Sequence, residues 1–477
     1  MRSGITESFI AGDHVASYDT YENIDPATGR SLGAVARSSA EEVDYAVTSA
    51  ADAQRQWRKS SPEQRSRLLI EVARLVRVDR DNLAQLESSD TGKPLAQAYG
   101  DADTCARYFE FYGHAIESYY GHQIPLGEDM HVYTRREPYG VTGHIVAWNY
   151  PLQLVSRAVA ASLASGNCAV AKPADETPRA TIRLAELVHQ AGFPVGAFNV
   201  VTGKGSETGA ALAAHPGINH LGFVGSTNTG STIAHAAADK VIPTVLELGG
   251  KSANVVFADA DIDSAVPALV RSIVQNAGQT CSAGSRLLVH HDVHDEVVSK
   301  MVAKMEQITI GHGLDDPGLG PLISTKQLER VSGFLERLTH GTVATGGVSP
   351  ELGGNLASGA FFAPTLVDDV DPASEIAQDE VFGPVVVCST FSDDDEALVL
   401  ANCTNYGLIS AVWTQNISRA HYMASEIEAG QVFINNYGAG GGVELPFGGF
   451  KKSGYGREKS IEALDEYTQT KTVVLKF

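Results

Sequence analysis

The segment from Val141 to Lys172 reads VTGHIVAWNYPLQLVSRAVAASLASGNCAVAK, and it sets out one strand, one helix and a second strand in that order. VTGHIVAW is a strand-length apolar run, and Pro151 follows at a position that suits the first turn of a helix. PLQLVSRAVAASLA carries that helix to about Ser165, where Gly166 and Asn167 supply the stop. CAVAKP is the returning strand. The alternation continues through TPRATIRLAELVHQAG, FNVVT, LGFVGS, STIAHAAADK and TVLEL, ending at Leu248. Such a pattern predicts a parallel sheet with helices on its faces and binding sites at the carboxyl ends of its strands, a nucleotide-type ligand being the first expectation.

Upstream, Ser39 to Ser89 is helical in pattern, with N-caps expected at Ser39 and Ser61 ahead of acidic first turns. A third helix is expected around Lys93 to His114. Ser118 to Gly140 then reads as two short strands about a Gly/Glu/Asp turn, a protruding hairpin. Downstream, a second α/β half from about Gly249 to Gly449 offers SANVV, VVVCSTF and AVWTQ as strands, and TQTKTVVLKF closes the chain as another.

The totals agree with this plan. A chain of 477 residues exceeds one ordinary core, so two or three domains are expected. A net charge of -21 opposes nucleic-acid backbones and anionic lipid, and no basic patch offsets it. No run approaches the length of a spanning helix and the N-terminus lacks a signal-type apolar stretch, so no membrane association and a cytoplasmic location are expected. The five cysteines are scattered, with neither a CxxC pair nor zinc-like Cys/His spacing, so no metal site is expected.

Several stretches carry chemistry. QNAGQTCSAGSR sets Cys281 among small and polar residues, the setting a reactive thiol needs, although a free cysteine is commonly a small buried hydrophobe. Asn149 lies just ahead of Pro151 at a positive helix end, where its amide could stabilise an oxyanion or only shape a turn. Glu247 ends an apolar strand before two glycines; burial would lift it toward the range of a general base, whereas a strand-edge glutamate would face solvent. Lys172 at a strand end, with Asp175 and Glu176 beyond, could hold a ribose and its phosphates. GFVGSTNTGST places Gly225 and Ser226 at a helix N-terminus suited to phosphate. It is not a P-loop, because Ser231 stands where the lysine belongs. The usual G-x-G-x-x-G is absent; GKGSETG, Gly203 to Gly209, has its third glycine one place late. The alternating Asp259, Asp261 and Asp263 lack the glycine of a calcium loop and read as helix capping.

Taken jointly and in order, WNYP, KPAD, GFVGS, LELGGKS, GQTC, EVFGP and PFGGFKKSGYGRE resemble the aldehyde dehydrogenase superfamily from near residue 20 to the C-terminus. The resemblance implies an α/β fold with a Rossmann-like cofactor domain (1–117 and 139–248), an α/β catalytic domain (249–450) and a small β oligomerisation element (118–138 and 458–477). It implies Cys281 as nucleophile, Glu247 as general base, and the Asn149 side chain with the Cys281 backbone N–H as oxyanion hole. Cofactor contacts carry over to Ile145, Trp148, Lys172, Asp175, Gly205, Gly225, Ser226, Leu248, Glu380 and Phe382. Substrate contacts carry over to Tyr150, Leu154 and Arg157. The expected reaction is NAD-dependent oxidation of an aldehyde to an acid by a homodimer or homotetramer. Asp175 stands where NAD-preferring relatives usually hold Glu, and with Glu176 it would repel a 2′-phosphate, so NADP is less favoured. Arg157 replaces a common Trp in the aldehyde channel; it would meet a carboxylate or ring substituent of a semialdehyde or aromatic aldehyde, or pair with a protein acid. Two other readings use the same residues: a cysteine hydrolase or acyltransferase, and a non-catalytic protein retaining the fold.

Overall fold

The computed structural model describes residues 4–17, 19–438 and 441–477. Its first sheet has eight strands in the order Gly454–Tyr455, Thr244–Glu247, His220–Val224, Val141–Ile145, Cys168–Lys172, Phe198–Val200, Ser8–Ile10 and Asp13–Val15. The five strands from Thr244–Glu247 to Phe198–Val200 are parallel, as the alternating sequence predicts. Antiparallel strands from distant parts of the chain close both edges. From Val141–Ile145 the chain winds outward through Cys168–Lys172 to Phe198–Val200, then returns to the other side of its starting strand as His220–Val224. The order therefore reverses between Val141–Ile145 and His220–Val224, and a crevice opens beyond their carboxyl ends.

The helix Pro151–Ala164 starts with proline in its first turn, and Gly166 at φ 91° takes the chain out of it. It is apolar nearly all round because it is enclosed on all sides: every residue but Gln153 is buried. Ser39 forms a capping box with Glu42, and Ser61 accepts from Gln64 N. The helix expected around Lys93 to His114 runs from Leu95 to Ala115, and a separate helix, Arg80–Thr91, precedes it. Asp261 accepts from Ser264 N at 3.1 Å, so the aspartate repeat includes a helix cap.

The second sheet orders Thr342–Thr345, Thr365–Asp368, Val385–Phe391, Arg286–His290, Ala253–Val256, Ile409–Trp413 and Gln431–Ile434, parallel except for its first pair. A third, small sheet joins Gln123–Ile124 and Met130–Pro138 to the chain's end. Thr468–Lys476 pairs along the whole of Met130–Pro138, so the expected hairpin is chiefly a platform for the last strand. Among the described residues, no helix is long and apolar enough to cross a membrane.

A buried ionic group fastens the start of the Pro151–Ala164 helix. Lys93 Nζ lies 3.2 Å from Glu87 Oε1, pairs also with Asp101, and sits 4.1 Å from the Tyr150 ring centroid. Glu87 Oε2 accepts from Leu152 N at 3.2 Å, and Asp101 Oδ1 accepts from Gln153 Nε2 at 2.6 Å. Both carboxylates are buried, so the lysine that neutralises them is indispensable to the arrangement. Lys93→Met is expected to destabilise the protein by about 3–5 kcal/mol, seen as a lowered midpoint in thermal unfolding followed by circular dichroism.

Candidate active site

Cys281 lies in the loop between the helix Ile262–Val274 and the strand Arg286–His290. This loop turns through a left-handed run, with φ of 49° at Asn276, 53° at Ala277 and 70° at Gly278. Two of these residues carry a Cβ, so the turn is strained and needs outside support. Asn276 N donates to Gln97 Oε1 at 2.9 Å, Asn276 Nδ2 donates to Asn149 O at 2.8 Å, and Ile323 N donates to Gln279 Oε1 at 2.8 Å. At Gly278 a Cβ would stand 2.1 Å from Gly383 O, so this position must be glycine.

The double glycine after Glu247 has the same explanation. A Cβ on Gly250 would lie 2.2 Å from Cys281 O, and one on Gly249 would lie 2.6 Å from Glu380 Oε2. Glycine at both positions lets three loops converge: the one leaving the strand Thr244–Glu247, the one holding Cys281 and the one holding Glu380. Gly250 N donates to Glu380 Oε1 at 2.9 Å.

The convergence encloses a cavity of about 200 Å³ whose walls include Trp148, Asn149, Gly225, Ser226, Glu247, Leu248, Cys281, Glu380 and Phe382. Trp148, Asn149, Gly225 and Ser226 come from the carboxyl-end crevice of the first sheet. Cys281 and Glu380 come from loops that enter strands of the second sheet, so the cavity lies between the carboxyl ends of one sheet and the amino ends of the other. The carboxyl-end expectation covers only the first half.

Ser226 caps the helix Thr227–Lys240, accepting from Thr229 N at 3.3 Å. Gly230 gives Leu248 room against that helix, since a Cβ there would meet Leu248 Cδ2 at 2.5 Å. Trp148 and Phe382 meet edge to face with centroids 5.2 Å apart. Phe382 has φ 59°, and its carbonyl accepts from Gln327 Nε2 at 2.7 Å. Ile145, Lys172, Asp175 and Gly205 form a separate cluster outside this wall: Ile145 is the register partner of Lys172, Lys172 Nζ lies 2.5 Å from Asp175 Oδ1, and Gly205 N donates to the same oxygen at 3.1 Å.

Asn149 is buried, with Nδ2 donating to Gln279 O at 3.0 Å and Oδ1 unpartnered. Glu247 is 1% exposed; Arg157 Nη2 donates to its Oε2 at 3.2 Å, and Oε1 is buried without a hydrogen-bond partner. Burial first, and the adjoining Glu247 charge second, hold the Cys281 thiol well above its ordinary range, while Arg157 works in the opposite direction. The thiol is therefore protonated at neutral pH, with the Glu247 carboxylate beside it. Burial also pushes Glu380 up to about 7, against the donation from Gly250.

The three expected substrate residues are placed differently. Tyr150, Leu154 and Arg157 are 8%, 3% and 5% exposed and are not among the cavity's lining residues. The helix that carries them is covered on every side, and the Tyr150 ring is occupied by Lys93. Arg157 is engaged by protein acids, lying 3.2 Å from Glu247 Oε2 and 2.5 Å from Glu458 Oε2, with its guanidinium 5.2 Å from the Phe447 ring centroid. Its charge is met by protein acids, which is the second of the two arrangements the sequence leaves open.

Sequence reasoning also passed over Gln327, Arg330 and Glu458. Gln327 and Arg330 sit on the ordinary-looking amphipathic helix Thr325–Glu336, where Arg330 Nη2 donates to Glu380 O at 2.7 Å, and nothing local distinguishes them from surface residues. Glu458 belongs to the quoted GYGRE stretch, but only the fold brings it to Arg157.

The aldehyde dehydrogenase family model matches residues 14–473. A Burkholderia cenocepacia protein assigned as an aldehyde dehydrogenase is 45% identical, the match covering 99% of this chain and 100% of that one, with a TM-score of 0.96. The NAD+ complex of an aldehyde dehydrogenase from Bacillus cereus is 38% identical over 99% and 96% of the two chains, with a TM-score of 0.96. A variant of P. syringae AldA, an indole-3-acetaldehyde dehydrogenase in complex with NAD+ and IAA, is 36% identical over 100% and 97%, again with a TM-score of 0.96. Two parallel sheets meeting over a thiol, a carboxylate and an amide, together with a family match along nearly the whole chain, make this protein a member of the aldehyde dehydrogenase family.

Proposed function

We propose that this chain oxidises an aldehyde to a free carboxylic acid with NAD+, using Cys281 as nucleophile, Glu247 as general base and Asn149 as an oxyanion donor. The observation that carries this reading is the meeting of all three side chains at one cavity. In the reaction, Glu247 takes the Cys281 proton and the thiolate sulfur bonds to the aldehyde carbon. The Asn149 amide and the Cys281 N–H supply hydrogen bonds to the resulting oxyanion. NAD+ supplies a hydride acceptor for the carbon's hydrogen, leaving a thioester on Cys281. Glu247 then releases that proton to solvent and removes another from water, whose oxygen attacks the thioester carbon; the C–S bond breaks, the Cys281 thiolate takes the proton back from Glu247 and the acid leaves.

The residues present fit such a dinucleotide. The N-terminus of the helix Thr227–Lys240, beside Gly225 and Ser226, suits phosphate. Trp148 and Phe382 offer apolar walls, and Glu380 offers a carboxylate for a ribose hydroxyl. Asp175 and Glu176 would repel a 2′-phosphate, although Lys172 and the nearby Lys204, 3.5 Å from Asp175 Oδ2, temper that repulsion. NAD+ complexes among the structural relatives support NAD+ as the cofactor. A hydrolase or acyltransferase is less well supported, because among the described residues no histidine lines the cavity.

Three outcomes are expected. In NADH formation with a panel of aldehydes, Cys281→Ala abolishes turnover, and Glu247→Gln and Asn149→Ala each lower kcat by about a hundredfold or more; unchanged rates would sink the assignment. In kcat/KM, NAD+ exceeds NADP+ by about tenfold or more, and parity would contradict the roles of Asp175 and Glu176. Alkylation of Cys281 in the free enzyme, followed by peptide mass spectrometry, rises about tenfold per pH unit from 7 to 9 without a plateau, because a raised pKa leaves the thiolate scarce throughout that window. A plateau below pH 8 would show a depressed pKa instead.

A further inference from the structure

Arg157, Glu247 and Glu458 are each no more than 5% exposed, and such a cluster is costly to desolvate unless its geometry does something. One nitrogen, Arg157 Nη2, serves both acids, at 3.2 Å from Glu247 Oε2 and 2.5 Å from Glu458 Oε2. Glu458 is itself fixed, since its backbone N–H and carbonyl exchange hydrogen bonds of 2.8 Å with Phe447, and the Arg157 guanidinium lies 5.2 Å from the Phe447 ring centroid. The arginine is therefore anchored from behind, while one oxygen of Glu247 is tied down and the other, Oε1, is left unpartnered at the cavity.

We propose that Arg157 is a positioning residue for Glu247: it pins Oε2, presents Oε1 to the thiol and to the attacking water, and sets a fixed positive charge beside the carboxylate. This rests on the reading of Glu247 as general base. A guanidinium keeps its proton at any working pH, so Arg157 is a fixed charge and not a carrier of protons. The other groups that act on Glu247 push the opposite way or titrate themselves. Cys281 and Glu380 face it across the cavity, Glu458 adds a second negative charge, and Lys459, with its ammonium lowered to about 7 by burial and by Arg157, supplies only a partial positive one. Tyr108, on the helix Leu95–Ala115, also faces Arg157 and stays neutral because burial raises its pKa. Arg157 is thus the permanent cation among the groups that meet at the base.

The test compares kcat, KM and the pH profile of NADH formation, with thermal unfolding, in the wild type and in Arg157→Met, Arg157→Lys, Arg157→Met/Glu458→Gln and Glu247→Gln. Arg157→Met should lower kcat by about tenfold or more, with KM changed less than about threefold. Its acid limb should move up by about one pH unit or more, because a carboxylate that loses an adjacent cation binds its proton more tightly. Arg157→Lys should bring the limb back, since it restores the charge, while recovering kcat only in part. The double variant removes one cation and one anion together, so it should regain thermal stability yet keep the low kcat and the displaced limb. Recovery of kcat along with stability in the double variant would reduce Arg157 to charge balance within the fold and overturn the proposal. So would an Arg157→Met enzyme with wild-type kcat and acid limb beside an inactive Glu247→Gln, an outcome that leaves Glu247 as the base. A Glu247→Gln enzyme with wild-type rate and limb would overturn the base assignment and this proposal together.

Discussion

The site depends on backbone passing backbone at a distance no side chain permits. Cys281 O would stand 2.2 Å from a Cβ on Gly250, and Gly383 O would stand 2.1 Å from one on Gly278. These two crossings bring a loop of the first sheet against loops of the second, and they set the Cys281 loop against the chain that leaves Glu247. The left-handed turn at Asn276 and Ala277 is the strain this convergence requires, and it is sustained by hydrogen bonds that Asn276 donates to Gln97 and Asn149 and accepts from Gln279.

Bringing the loops so close expels water, and that sets the electrostatics. The Cys281 thiol beside the Glu247 carboxylate holds its proton. Glu247 in turn is buried, and it is matched by an arginine whose own charge is shared with a second acid. Further from the cavity, Lys93 performs the same service for Glu87 and Asp101 and so steadies the turn that presents Asn149.

Much of this was legible in the sequence because it is written in local signals. The strand and helix alternation after Val141, Pro151 at a helix start, the serine caps and the paired glycines after Glu247 each follow from the conformational limits of one or a few residues. What sequence could not disclose is which distant charges meet. Arg157 looked like a residue for the substrate because its partner Glu458 lies in a different part of the chain, and a lone arginine on an apolar helix gives no sign of where its counter-ion will come from. Gln327 and Arg330 were missed for a related reason: their helix has an ordinary amphipathic pattern, and their roles are set by the carbonyls of Phe382 and Glu380 that tertiary folding delivers to them.

The edge strand Gly454–Tyr455 of the first sheet pairs with Leu246 and Glu247, and Glu458 lies three residues beyond it. As the chain is synthesised, the parallel strands from Val141 to Glu247 emerge long before this edge partner does. Until then the strand that carries Glu247 has an open edge and Arg157 lacks one of its two acids. The nascent protein must hold an unfinished, apolar sheet in solution while the second sheet is made, which exposes it to mispairing and makes shielding by chaperones advantageous. Completion of the sheet and charge balance at the base then arrive together, so a chain that has not finished folding is also one that has not yet assembled its chemistry.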